Sequence, residues 1–231
     1  MSTDGIDDTD YIQAFMAERE IDFSRTALVV VDMQYATGHR QGALGRRMIR
    51  EGSNATNYRF DRIENQVVPN TQRLLAGFRG HGGEVVYLTV GAAKQDISDA
   101  PPHMEKLFRD LDNYEGSREH EIIDELKPEP GEMVLNKTSI GAFASTGLDH
   151  LLRSLGKDQL YMTGVSTNMC VETTAREAAD RGYLVTLVED ACGATREELH
   201  EGTMVNFQRL FGRVVSTDEA LAELAIGAQG D

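Results

Sequence analysis

The most constraining feature of this chain is a set of short segments that are apolar at nearly every position rather than at alternate positions. A strand with one face in water alternates apolar and polar residues, whereas a strand covered on both faces does not. The continuous pattern is typical of parallel sheets packed between helices. Six segments show it, the last of them briefly: 27–32, 84–90, 133–137, 159–165, 183–190 and 213–217.

Helical patterns fill the intervals between these strands. One stripe at helical spacing is made by Leu148, Leu151, Leu152 and Leu155. Gly156 follows it as a typical C-terminal cap, other stripes end at Gly80 and Gly182, and 197–211 is a further candidate. The alternation predicts a doubly wound, Rossmann-like α/β fold, with a six-stranded parallel sheet and helices on both faces in three layers.

The length of 231 residues allows one domain with a sizeable core. We expect that domain to span 25–231, after an acidic arm over 1–24 that holds one helix around 11–19. A long insertion over 38–62 follows the first strand. It is rich in arginine within an acidic chain: Arg40, Arg46, Arg47, Arg50, Arg59 and Arg62. Either these residues pair with acidic surface or an oligomer contact, or the insertion is a lid that attracts an anionic substrate.

The net charge of −15 argues against a nucleic-acid partner, because phosphate binding needs an excess of Lys and Arg. No apolar run approaches the roughly 18 residues of a membrane-spanning helix, so no membrane association is expected. The polar start MSTDGIDDTD is unlike a signal peptide and favours a cytoplasmic location. Cys170 and Cys192 are therefore expected to be free thiols.

Three chemically active side chains follow three different predicted strands. Asp32 ends the first strand, Lys137 ends the third, and Cys170 comes shortly after the fourth, near the start of a helix. Each alone has an ordinary structural explanation: a turn, a solvated lysine or a small core residue. In open α/β sheets, however, sites form beyond the carboxyl ends of the strands. The sequence therefore predicts that the three side chains converge there.

This convergence suggests a cysteine nucleophile. The helix N-terminus and Lys137 would favour the thiolate of Cys170, and Asp32 would take the thiol proton and later give it to a leaving amine. Backbone N–H groups of the turn 165–168 would bind the oxyanion of the tetrahedral intermediate. The expected partner is a small-molecule substrate, and this chemistry needs no metal and no organic cofactor.

Three motifs in this order resemble the isochorismatase-like cysteine hydrolase family: VVVDMQ (29–34), KTSIGAFASTGLDHLLRSLG (137–156) and TGVSTNMCVETTAREAADRGY (163–183). The resemblance covers about 24–220. It implies a catalytic triad of Asp32, Lys137 and Cys170, together with a cis peptide between Val165 and Ser166. It also implies an oxyanion hole made by the N–H groups of Ser166 and Cys170, and a homodimer or homotetramer.

The likeness is strongest to the branch that hydrolyses ureides, with ureidoacrylate, biuret and N-carbamoylsarcosine amidases. The metal-binding Asp-x-His pair of nicotinamidases is absent from the sequence. Where members that bind a substrate carboxylate often have Arg after the fifth strand, this chain has Thr195, with Arg196 one step away. The candidates for substrate binding are Gln34, Tyr35, Phe143, Asn168 and Gln208.

The expected activity is cysteine-dependent cleavage of a C–N bond in a small linear amide or ureide, through a thioester. Two alternatives stay open. One is a vinyl-ether hydrolase of the isochorismatase type, in which the carboxylate protonates the substrate and the thiol is dispensable. The other is a binding protein that keeps the fold without catalysis.

Overall fold

The computed structural model describes Ile12 and residues 20–227. The helix predicted around 11–19 and most of the predicted acidic arm therefore lie outside the described residues. The proposed division into an arm and one domain over 25–231 stays a prediction.

A six-stranded, all-parallel sheet forms the centre of the molecule, with the strand order β3-β2-β1-β4-β5-β6. Its strands are β1 (Thr26–Val31), β2 (Glu84–Val90), β3 (Met133–Lys137), β4 (Gln159–Val165), β5 (Leu184–Gly193) and β6 (Arg213–Val215). The chain first builds the sheet in one direction from β1 and then returns to place β4 on the other side of β1. The switch point between β1 and β4 is where α/β folds of this type place their ligands.

Helices cover the sheet, as the sequence predicts. They are α1 (Tyr35–Gly38), α2 (Ala43–Arg50), α3 (Asn57–Arg62), α4 (Val68–Gly80), α5 (Pro102–Asp110), α6 (Leu148–Ser154), α7 (Glu172–Asp180), α8 (Glu197–Leu210) and α9 (Thr217–Gly227). A π-helical turn, Ile63–Val67, joins α3 to α4, and a second, Thr167–Val171, precedes α7. The insertion predicted over 38–62 is thus largely helical.

Two separate apolar cores show which helices lie on which face. Val29 and Val31 of β1 pack in one core with residues of α6, α7 and α8, whereas Leu28 and Val30 pack in the other with residues of α3, α4 and α9. Successive side chains of a strand point to opposite faces, so a strand buried on both sides must be apolar throughout. This confirms the predicted three-layer fold.

The edge strand β3 departs from the prediction of burial on both faces. Met133 and Val134 at its start are exposed, and only Lys137 at its end is fully buried. An edge strand has a neighbour on one side only, which leaves its first residues uncovered. Among the described residues, no helix combines the length and the apolar character needed to cross a membrane.

At the switch point the backbones of β1 and β4 approach closely. Gly164 pairs with Val31 and has a φ of +112°, a conformation that glycine adopts readily. A Cβ atom at this position would lie 2.1 Å from the Val31 carbonyl oxygen. Only a residue without a side chain fits between the strand ends that precede Asp32 and Ser166.

Candidate active site

Asp32 follows β1 directly and takes a left-handed backbone conformation, with a φ of 52°. Asp accepts this region better than most residues, and such backbone strain clusters at functional sites. The Asp32 N–H donates to the Leu88 carbonyl of β2 at 2.8 Å, and the Asp32 carbonyl accepts from the Gln34 N–H at 2.8 Å. Two backbone bonds therefore fix the carboxylate, which is 2% exposed.

Lys137 reaches this carboxylate from the edge of the sheet. Its Nζ donates to Asp32 Oδ2 at 2.9 Å and to the Ser139 carbonyl at 3.3 Å. Because β2 lies between β3 and β1, the long lysine side chain must cross one strand to form this ion pair. The lysine is fully buried, so the pair lies in a medium that screens charges far less than water.

Cys170 lies in the π-helical turn Thr167–Val171, six residues after Gly164, and is 6% exposed. Its thiol is close enough to Asp32 and Lys137 to interact with both side chains. Asp32 Oδ2 is occupied by Lys137, whereas Oδ1 is buried and makes no regular hydrogen bond within the described protein. The Cys170 thiol carries the acidic proton beside this carboxylate.

The charge balance differs from the expected stabilisation of a resting thiolate. Burial raises the pKa of Cys170 to about 12, and the Asp32 carboxylate adds to the rise while Lys137 opposes it. Burial also raises the pKa of Asp32 against the pull of Lys137. Burial lowers the pKa of Lys137, but Asp32 and Cys170 together outweigh it, so that this pKa is raised. The Lys137–Asp32 pair therefore lies beside a thiol that stays protonated at neutral pH, and a base must remove the thiol proton.

The turn after β4 presents backbone groups beside Cys170. The Val165–Ser166 peptide bond is cis. The Ser166 carbonyl accepts from the N–H groups of Met169 at 3.0 Å and Val171 at 3.3 Å. Among the described residues, the Ser166 N–H donates to no backbone carbonyl in the turns and loops, so it can donate to a ligand.

His200 of α8 supports this turn from behind. Its Nδ1 lies 3.0 Å from Thr167 Oγ1, and its Nε2 lies 2.9 Å from Arg62 Nη2. Since arginine only donates, Nε2 accepts and Nδ1 carries the proton. Burial and then Arg62 lower the pKa of His200 to about 4, which keeps the ring neutral. In the sequence His200 shows no metal-ligand spacing, and its structural role depends on contacts with Arg62 and Thr167 that the sequence does not reveal.

The arginines of the insertion differ in what they contact. Three of its arginines form ion pairs within the chain: Arg40 with Asp61 and Glu64, Arg46 with Glu119, and Arg47 with Glu51 and Asp110. These contacts fit the first interpretation, pairing with acidic surface. Arg50 is exposed. Arg59 instead points inward and donates to Ser166 Oγ at 2.6 Å.

Two of the predicted substrate-binding residues have other tasks or positions. Gln34 is buried, and its amide donates to the Val90 and His120 carbonyls and accepts from the Val90 N–H. It therefore connects the end of β2 to the loop before His120. Gln208 is exposed on α8 and is not brought to the triad.

The other three predicted residues are buried or half-buried in segments near Asp32 or Cys170. Phe143 packs in the same apolar core as Cys170, and Asn168 is half-buried in the turn that carries Cys170. The Tyr35 ring is half-buried and lies under the Arg118 guanidinium, 3.6 Å from the ring centre. No cluster of three or more metal-ligating side chains occurs in the described ranges.

Comparison with known proteins shows the family to which the chain belongs. The model of the isochorismatase domain matches residues 26–219, which is most of the chain. The chain belongs to the isochorismatase family. A relative from the same family, the ureidoacrylate amidohydrolase RutB of Pantoea ananatis, is 30% identical over 207 residues, covering 83% of this chain and 79% of the relative.

Solved structures of the isochorismatase fold superpose on most of the molecule. A cysteine hydrolase from Pseudomonas syringae pv. phaseolicola has a TM-score of 0.76 at 26% identity and covers 91% of this chain and 97% of its own. The N-carbamoylsarcosine amidase of Thermoplasma acidophilum has a TM-score of 0.63 at 28% identity, with coverages of 84% and 97%. These matches support a hydrolase.

Proposed function

We propose that the protein is a cysteine-dependent hydrolase that cleaves a C–N bond of a small linear amide or ureide through a thioester. The observation that carries this proposal is the meeting of Asp32, Lys137 and Cys170 from three distant strand ends, with Asp32 Oδ1 unoccupied beside the thiol. The slight exposure of Cys170 favours a small substrate.

The first half-reaction starts with transfer of the thiol proton from Cys170 to Asp32. The sulfur attacks the carbonyl carbon, and the carbonyl oxygen becomes an oxyanion that the free Ser166 N–H and the Cys170 N–H stabilise. The C–N bond then breaks as Asp32 gives its proton to the leaving nitrogen. Ammonia or an amine departs, and a thioester remains on Cys170.

The second half-reaction reverses the proton movements. Asp32 accepts a proton from water, the hydroxide attacks the thioester carbon, and the C–S bond breaks. The sulfur takes the proton back from Asp32, which regenerates the thiol and releases the acid. Throughout, Lys137 keeps a positive charge beside whichever of Asp32 or Cys170 is anionic.

The names of the relatives support an amide or ureide substrate. Ureidoacrylate amidohydrolase and N-carbamoylsarcosine amidase both act on substrates with a carbamoyl nitrogen. The raised pKa of Asp32 favours one second candidate, in which the protonated carboxyl group acts as an acid on a vinyl ether. That reaction would leave Cys170 without a covalent role.

A panel of primary amides and ureides, scored by ammonia release, tests the proposal. We expect turnover of at least one compound and a Cys170-linked acyl adduct in the mass spectrum of acid-quenched enzyme. A Cys192→Ala protein should form the same adduct. A Cys170→Ser protein that releases ammonia at the original rate would rule out the thioester route, and turnover of vinyl ethers alone would favour the second candidate.

A further inference from the structure

Arg59 is a buried cation without a carboxylate partner. It is 4% exposed, and its two hydrogen bonds go to uncharged oxygens: Nε donates to the Thr37 carbonyl at 2.9 Å and Nη1 to Ser166 Oγ at 2.6 Å. No Asp or Glu in the described part of the chain lies within ion-pair distance of it. Burial lowers the pKa of Arg59 to about 10, so the guanidinium still carries its charge at neutral pH.

The two oxygens that hold Arg59 belong to the segments that carry the catalytic groups. Thr37 precedes Gly38, which packs against the backbone of Asp32 and Met33. Ser166 begins the turn that carries Cys170. The guanidinium therefore bridges the chain after β1 and the chain after β4, close enough for its charge to act on Asp32 and on the thiol.

This position gives the site an excess of positive charge. Lys137 and Arg59 supply two cations against the single carboxylate of Asp32, and that carboxylate is already bound to Lys137. A buried cation without an anion is costly, so a missing anion is expected to come from elsewhere. Three other arginines of the insertion show the contrast, because Arg40, Arg46 and Arg47 each have a carboxylate partner.

The guanidinium also keeps donors free for such an anion. It has five N–H donors, of which Nε and Nη1 use one each. Nη2 makes no hydrogen bond to the described protein. It is also not one of the completely buried polar atoms that lack a partner, so it keeps some accessible surface. Arginine binds carboxylates through pairs of parallel N–H groups, a geometry that the free edge allows.

We propose that Arg59 binds a carboxylate of the substrate, so that the site takes amides or ureides that carry a negative charge. That the bound anion is a substrate rests on the proposed function. The binding of an anion beside Cys170 does not depend on catalysis. It assigns the carboxylate contact to the insertion after β1, not to the residues after β5, where this chain has Thr195.

Alkylation of Cys170 tests the anion site without any turnover. Iodoacetate and iodoacetamide modify the same sulfur, and only iodoacetate carries a charge. We expect the ratio of the iodoacetate to the iodoacetamide rate at Cys170 to exceed the ratio measured for glutathione by 10-fold or more. A ratio at or below that of glutathione in the unaltered protein would overturn the inference, whatever the variants do.

Variants then assign the effect to one side chain. Arg59→Gln should lower the rate ratio about 10-fold, and Arg59→Lys should restore part of it. The control Arg47→Gln, which removes the same charge from the same insertion, should leave the ratio unchanged. If Arg59→Gln slows both reagents equally, Arg59 has only a structural role and the inference is wrong.

A matched pair of ureides tests substrate choice separately. The pair 3-ureidopropionate and isopentylurea has nearly the same shape and differs in the carboxylate. We expect kcat/KM to favour 3-ureidopropionate by 100-fold or more, and Arg59→Gln to remove this preference mainly through KM. Equal hydrolysis of the two compounds would overturn the inference and leave the proposed function intact. If no amide or ureide is hydrolysed, the proposed function fails, while the alkylation ratios still decide the anion site.

Discussion

The two cysteines of this protein have similar burial and very different neighbours. Both are free thiols, both are more than nine-tenths buried, and burial raises the pKa of each to about 12. Cys192, near the end of β5, donates its S–H to the Met162 carbonyl at 3.7 Å. Cys170, after β4, lies beside a carboxylate and an ammonium that are bound to each other.

The comparison shows that burial raises the pKa of the thiol in both regions. A buried thiol resists ionisation and is inert unless a neighbour accepts its proton. In the proposed mechanism, Asp32 provides that acceptor for Cys170, and Lys137 stabilises the charge that then appears on the sulfur. On this proposal, the strand ends around each cysteine distinguish a structural thiol from a catalytic one.

Removal of each sulfur gives the largest expected difference. Cys170→Ala should lower kcat/KM on the best amide or ureide by about 10⁴-fold or more, because the covalent step is lost. Cys192→Ala, which removes the same sulfur atom from strand β5, should alter it by less than about 3-fold. Steady-state rates of the two purified variants check this, and comparable losses would mean that the two thiols do not differ as proposed.

The buried ion pair gives the next effect, on stability. Lys137→Met leaves the Asp32 carboxyl buried without its partner and should lower the unfolding free energy by about 3–5 kcal/mol. Asp32→Asn combined with Lys137→Met removes both charges, and Asn accepts the left-handed backbone at this position. The double variant should therefore be more stable than the single one in urea titrations. Equal stability of the two would show that the pair is not buried in a low-dielectric site.

His200 gives a smaller, pH-dependent effect in the region that joins the two cysteines. Arg62 donates both to His200 and to the Cys192 carbonyl. In the folded protein the pKa of His200 is about 4, whereas in the unfolded chain it is about 6.5. The unfolding free energy should therefore fall by up to about 3 kcal/mol as the pH decreases through this window.

Urea titrations at several pH values check the sign and size of this change. His200→Gln should flatten the part of the curve between pH 6.5 and 4, and the exposed His150→Gln should not. A curve for His200→Gln that matches the unaltered protein would contradict the assignment of a neutral, buried ring.

Much of the sheet could be predicted because burial on both faces leaves a clear signal. The strands over 84–90, 133–137 and 159–165 have the predicted bounds. β5 runs on to Gly193, three residues beyond the prediction, because its pairing with β4 shifts register between Met162 and Gly164. An irregularity of this kind depends on the neighbouring strand, which the segment itself does not reveal.

The site could be predicted where it depends on strand ends and not where it depends on loops. Strand ends predicted that Asp32, Lys137 and Cys170 would meet. Arg59 had no individual signal, since charges in an insertion show no periodicity and its partner Ser166 is 107 residues away. The sequence likewise gives no sign that the Gln34 amide is already bound, because the carbonyls that accept from it lie 56 and 86 residues along the chain.

The lack of a side chain at Gly164 sets how closely the two strands that precede Asp32 and Ser166 approach each other. Even a methyl group at position 164 would push the two central strands apart, and the displacement would carry the acid away from the sulfur. In the proposed mechanism, the proton-transfer distance between Asp32 and Cys170 thus depends on the lack of a side chain at Gly164. Attempts to enlarge this enzyme for bulkier substrates should leave that position alone and work from the helices of the insertion.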